Sequence, residues 1–182
     1  MYEKIREAAL KATLNIFETM FFTFLEPREV TGVPEGPEPD LEKVFDLPLD
    51  FKGSNFLQSE IFFEGFYSGS MRLFIPYDFG RELTMNFLGF EEEVTETQIE
   101  DMAGELTNMI CGNLFAILDK TYVFDLSAPI TQKIKFEERI KLAETENVIL
   151  GFSTEGQPVS LALQFKKNED NLRQFVPIDQ GN

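Results

Sequence analysis

Residues 56–76 read FLQSEIFFEGFYSGSMRLFIP, with aromatic and β-branched residues on both sides of a Gly/Ser-containing turn near Tyr67 to Gly69. That pattern predicts a β-hairpin, and with it an antiparallel sheet. The sequence on either side supplies what packs on the sheet.

Upstream, from Glu3 to about Leu25, Ile5, Ala8, Ala9, Ala12, Ile16, Met20 and Phe24 recur at three- and four-residue spacing, which predicts a long amphipathic helix ending before Pro27. Residues 27–40, PREVTGVPEGPEPD, hold four of the nine prolines and two glycines with no apolar periodicity, so a flexible insertion without regular structure is expected there. Downstream, Asp78 is placed to cap a short helix that runs through Arg81, Leu83, Met85 and Phe87 and stops at Gly89. Thr95 with Gln98, and Thr97 with Glu100, both have capping-box spacing. A second long helix is therefore predicted from near residue 96 or 98 to about Lys120. TYVFDLSAP then reads as a strand ended by Pro129, and NVILGFST with PVSLALQF, joined across EGQ, reads as a second hairpin. The expected fold class is α+β, an antiparallel sheet packed against two long helices, in one domain over residues 1–165 with a polar C-terminal tail at 166–182.

Composition narrows the chemistry. The chain has 182 residues, 43% of them hydrophobic, enough for one substantial core, which 20 Phe and no Trp make rich in phenylalanine. A net charge of −16 opposes nucleic acid and anionic membrane surfaces. The single cysteine, Cys111, falls on a predicted helix and reads as a buried apolar residue. With no signal-peptide h-region and no membrane-length apolar run, a cytoplasmic location without membrane insertion is expected. There is no histidine, which excludes Ser/His/Asp and Cys/His nucleophiles and histidine metal sites. Chemistry must run on carboxylates, amides, hydroxyls, lysines or a metal brought by the substrate.

Residues 101–113, DMAGELTNMICGN, lie in the second long helix. At about 100° per residue, Asp101, Glu105, Asn108 and Gly112 fall within a stripe roughly 60° wide. Met102, Leu106, Met109, Ile110 and Ile117 occupy the neighbouring arc and are expected to be buried. The stripe is either the wet side of a surface helix or a site, and the pair alone is unspecific, since Glu144 and Asn147 repeat the Glu-x-x-Asn spacing.

The longer string resembles the CheC/CheX/FliY family of chemotaxis phosphatases, whose signature is Asp or Ser, three residues, Glu, two residues, Asn, then about twenty-two residues and Pro. Here Asp101, Glu105 and Asn108 keep the spacing, and twenty residues separate Asn108 from Pro129. The GSMRLFIP strand and the short helix ending in LG also resemble the family's arrangement. CheC-type members carry two signature helices and CheX-type members one. In the first helix Asn15 stands three residues after Ala12, where a second site would need Glu, so the chain looks like a single-site, CheX-like protein.

The resemblance implies a protein phosphatase acting on the aspartyl phosphate of a CheY-like response regulator. Asn108 would orient the attacking water and Glu105 would pair with the regulator's lysine. Asp101 and Gly112 would support them, Asp101 in docking and Gly112 by clearance. Asp101 is equally well read as a first-turn carboxylate favoured by the helix dipole, and Gly112 as a helix-packing residue. No cofactor of its own is implied, Mg2+ belongs to the partner regulator, and CheX-type relatives form homodimers. Two other readings stand beside this one: a non-catalytic regulator-binding or scaffold module using the same helix face, and a carboxylate-based hydrolase, for which no second acid is nominated across a cleft.

Overall fold

The computed structural model describes residues 2–28, 51, 53–89, 93–118, 123–138 and 146–168. The order along the chain is α1 (Tyr2–Phe21), β1 (Glu26–Arg28), β2 (Asn55–Glu64), β3 (Tyr67–Pro76), α2 (Tyr77–Leu88), α3 (Glu96–Leu118), β4 (Asp125–Leu126), β5 (Ile130–Lys135), β6 (Val148–Thr154) and β7 (Gln157–Lys167). All strand pairs are antiparallel, in the order β1-β6-β7-β3-β2-β4, with β5 also paired to β2. This is the expected α+β class, an antiparallel sheet covered by α1 and α3, which also pack on each other.

The hairpin at 56–76 forms with its reversal at Gly65 and Phe66, earlier than the sequence suggests; Leu57 stands opposite Ile75 and Phe63 opposite Gly69. The Ser-Gly-Ser run belongs to the strand. A Cβ at Gly69 would lie 1.9 Å from the carbonyl oxygen of Gln164, so this glycine permits β3 and β7 to approach rather than the chain to turn.

Period-two alternation sorts the sheet into two faces. Leu57, Ile61 and Phe63 of β2 and Met71, Leu73 and Ile75 of β3 join the helices' apolar faces in the main core. Each fully buried aliphatic side chain there contributes about 1.5–3 kcal/mol. Phe56, Phe74, Ile134 and Ala162 point the other way and form a second, smaller cluster with Phe136.

Helix α3 starts as the capping box predicts. The Thr95 N–H donates to Gln98 Oε1 at 2.8 Å and the Gln98 N–H donates to Thr95 Oγ1 at 3.2 Å, so Thr95 is chosen over Thr97. The helix is described to Leu118, and its expected end near Lys120 lies outside the described residues. Helix α2 ends as predicted on Gly89, left-handed at φ 66, but its N-cap is Pro76, and Asp78 sits in the first turn without capping.

Four expectations are corrected. Helix α1 stops at Phe21 because Phe22 takes φ 52, and the Thr23 N–H closes back on Phe17 O at 3.0 Å. Met20, still within the helix, and Phe24, beyond its end, are 40% and 71% exposed rather than in the core. Pro27 and Arg28 form the short edge strand β1, while residues 29–40 of the expected insertion lie outside the described residues. The strand before Pro129 shrinks to Asp125–Leu126, and the unforeseen β5 follows it. Strand β7 includes Lys166 and Lys167, with 169–182 outside the described residues.

Candidate functional site

A surface helix ordinarily leaves about half its circumference to water. Helix α3 does not, because α1, α2, β2 and β5 all pack against it. Between Ile99 and Phe115 the exposed residues are Asp101, Glu105 and Gly112. Asn108, half-buried, stands between Glu105 and Gly112 on the same line. The four candidates from the sequence thus occupy the narrow stripe that tertiary packing leaves open.

The arc beside the stripe is buried at Met102, Leu106 and Ile110, as expected, whereas Met109 is half-buried and Ile117 is 44% exposed near the helix end. Cys111 is fully buried, and burial pushes its thiol up to about 12, so it offers no thiolate. A Cβ at Gly112 would meet nothing within 4 Å, so the stripe is flat and open there. A glycine inside a helix costs about 1 kcal/mol against alanine, and no packing constraint explains this one.

One wall of the stripe is the loop carrying Pro129. A Cβ at Gly104 would stand 3.5 Å from both Pro129 Cβ and Thr131 Oγ1, so helix and loop touch one residue before Glu105. Ser127 fixes the loop: its Oγ accepts from the Phe62 N–H at 3.0 Å, and its hydroxyl donates to Ala128 O at 3.0 Å. Thr131 Oγ1 and Ser59 Oγ hydrogen-bond at 3.1 Å, tying β5 to β2 beneath the helix. At the helix N-terminus Lys133 Nζ pairs with Glu96 Oε1 at 2.6 Å and lies 4.0 Å from the centre of the Tyr77 ring. That Glu96 contact, followed by the Tyr77 interactions, raises the Lys133 pKa. Sequence reasoning missed this buttress, because ITQKIK offers only two separated apolar residues, Ile130 and Ile134.

The two look-alike positions separate from the stripe. Asn147 is committed to the backbone, its Oδ1 accepting from the Phe165 N–H at 2.8 Å, while Glu144 lies outside the described residues. Asn15 is exposed, but Ala12 is fully buried, so a glutamate at position 12 would enter the core rather than stand beside Asn15. Among the described residues no group of three or more Cys, Asp or Glu is arranged to hold a metal ion, and no helix is long and apolar enough to cross a membrane.

The sequence pattern of the family described as "Chemotaxis phosphatase CheX" matches residues 59–153, from β2 into β6. The fold is similar to that of the chemotaxis protein CheX from Vibrio vulnificus, with a TM-score of 0.65 at 20% identity over 91% of this chain and 99% of that one. It is similar to a CheC-like superfamily protein from Shewanella, with a TM-score of 0.65 at 22% identity over 91% of this chain and 99% of that one. It is also similar to a chain of the CheX–CheY–BeF3–Mg2+ complex from Borrelia burgdorferi, with a TM-score of 0.58 at 17% identity over 88% of this chain and 97% of that one. No curated protein matches the chain by sequence.

Proposed function

The chain belongs to the CheX family of chemotaxis phosphatases, and on that premise we propose that it hydrolyses the aspartyl phosphate of a CheY-like response regulator, using Glu105 and Asn108. The observation that carries the reading is the exposure pattern of α3. Packing covers the helix on its other sides, and the open line holds Asp101, Glu105 and Asn108 at the family's spacing, with Gly112 following them.

An acyl phosphate is already activated, so catalysis needs a water held in line with the leaving oxygen more than it needs a strong base. A carboxamide suits the task because it both donates and accepts hydrogen bonds without bringing charge toward the phosphoryl group. The Asn108 amide orients the water. Glu105 lies one helical turn away, about 4.5 Å along the axis, and pairs with a lysine of the regulator to set the docking register. Asp101 extends the acidic edge for docking. The Mg2+ belongs to the regulator, in keeping with the composition of the Borrelia complex.

The test is decay of a phosphorylated receiver domain with wild type and Asn108→Ala in parallel. Removing the water-orienting group is expected to lower the accelerated rate by about 100-fold or more while the receiver still binds. Full activity in Asn108→Ala removes the mechanism. Binding by wild type without any change in the phosphate's lifetime favours a non-catalytic module instead.

A further inference from the structure

A groove of about 930 Å³ lies away from α3, between the end of α1, α2 and the β6–β7 turn. Its aromatic wall carries Phe22 and Phe24, which are 85% and 71% exposed. Among the described residues its rim carries the exposed carboxylates of Glu26, Glu82 and Glu155, together with the guanidinium of Arg28. The described residues include two non-glycine residues at positive φ, Phe22 at 52° and Glu155 at 47°, and both line this groove. In each case the backbone is strained, and the side chain so placed is not buried in return: one presents a phenyl ring to the groove and the other a carboxylate.

We propose that this groove docks a basic segment of a partner protein, with an apolar side chain seated against Phe22 and Phe24 and lysines or arginines met by Glu26, Glu82 and Glu155. Charge selects this occupant. The protein carries a net −16, and a second copy would bring the same three carboxylates toward the first. A groove that is aromatic on one side and acidic on the other matches a segment that is apolar and basic at once. None of its lining residues belongs to α3 or β5, so occupation leaves the Asp101–Gly112 stripe open.

The test is fluorescence anisotropy of a labelled octapeptide, KLFKKLFK, titrated with the full chain. Saturable binding is expected, weakened tenfold or more by the double substitution Phe22→Ser, Phe24→Ser and by Glu82→Lys, and weakened by added salt. Glu7→Lys makes the same charge change at an exposed position of α1 about 20 Å from its groove end and is expected to leave binding within twofold. Three outcomes overturn the proposal: no saturable binding, equal weakening by Glu7→Lys and Glu82→Lys, or a wild-type dimer that Phe22→Ser converts to monomer. The readout does not involve phosphatase activity, so its failure and that of the phosphatase reading are distinguishable.

Discussion

Gly112 separates the two roles open to a glycine on the candidate stripe. The position is helical, exposed, and free of neighbours within 4 Å of a built Cβ. Gly112→Ala therefore creates no clash and recovers about 1 kcal/mol of helix propensity. For a chain of this size that raises the melting temperature by about 2–4 °C. Gly112→Leu also suits the helix and is expected to keep at least wild-type stability, but its side chain fills the flat part of the stripe next to Asn108. If a regulator seats there, displacement of the reacting groups by about 1 Å costs on the order of 100-fold in rate. Thermal unfolding by circular dichroism and decay of a phosphorylated receiver domain measure the two effects on the same samples. A leucine variant with normal melting and unimpaired phosphatase activity would refute the docking geometry. An alanine variant that melts below wild type would refute the packing reasoning.

Two further outcomes follow from strain and buried charge. Glu146 pairs with Arg72, which also lies 2.9 Å from Glu60, and burial pushes the Glu146 carboxyl from 4.5 up to about 7, with Glu60 adding to the rise and Arg72 opposing it. Because the folded value lies above the unfolded one, the stabilising contribution is complete below pH 4.5 and is lost as pH rises through 7. Glu146→Gln, which carries no titrating carboxyl at this place, should therefore gain stability on wild type as pH rises from 4.5 through 7. Parallel stability curves in urea across that range contradict this. In the β6–β7 turn both central residues have positive φ, 47° at Glu155 and 81° at Gly156, a conformation that asparagine tolerates better at the first position. Glu155→Asn should raise the urea midpoint by about 0.5–1 kcal/mol equivalent with an unchanged slope; no rise, or a changed slope, tells against it.

The elements legible in the sequence are those whose local and tertiary signals agree. Both hairpins and α3 announce themselves through period-two runs and the Thr95–Gln98 capping box, and these recur in the fold. The edges were not legible. Strand β1 is three residues that include a proline, and β5, ITQKIK, is mostly exposed or half-buried, so neither carries a hydrophobic run. The end of α1 was misplaced by a turn because Phe22 adopts the left-handed conformation that glycine normally signals. At the candidate site, the spacing of Asp101, Glu105, Asn108 and Gly112 put them on one line, but not how narrow that line is. Its narrowness depends on burial of Cys111, which the sequence indicates, and also of Gly104 and Thr107, small or weakly polar residues whose side chains do not announce a buried face.

That narrowness bears on how a neutral amide is able to direct hydrolysis. Helix α3 is held by α1 on one side and by the Pro129 loop and β5 on the other, so it cannot slide to compensate for a misplaced head group. Asn108→Gln keeps the carboxamide and its donors and acceptors but moves them outward by one methylene, about 1.5 Å. A site that works by binding alone tolerates the change, since glutamine offers the same hydrogen bonds. A site that works by placing a water in line does not, and a shift of that size on a rigid helix is expected to cost about 100-fold in kcat with little change in KM. The signature of positioning is that split, measured by phosphate release at several receiver concentrations. Recovery of wild-type kcat in Asn108→Gln would show that the location of the amide is immaterial, and the role given to α3 as a rigid mount would fall with it.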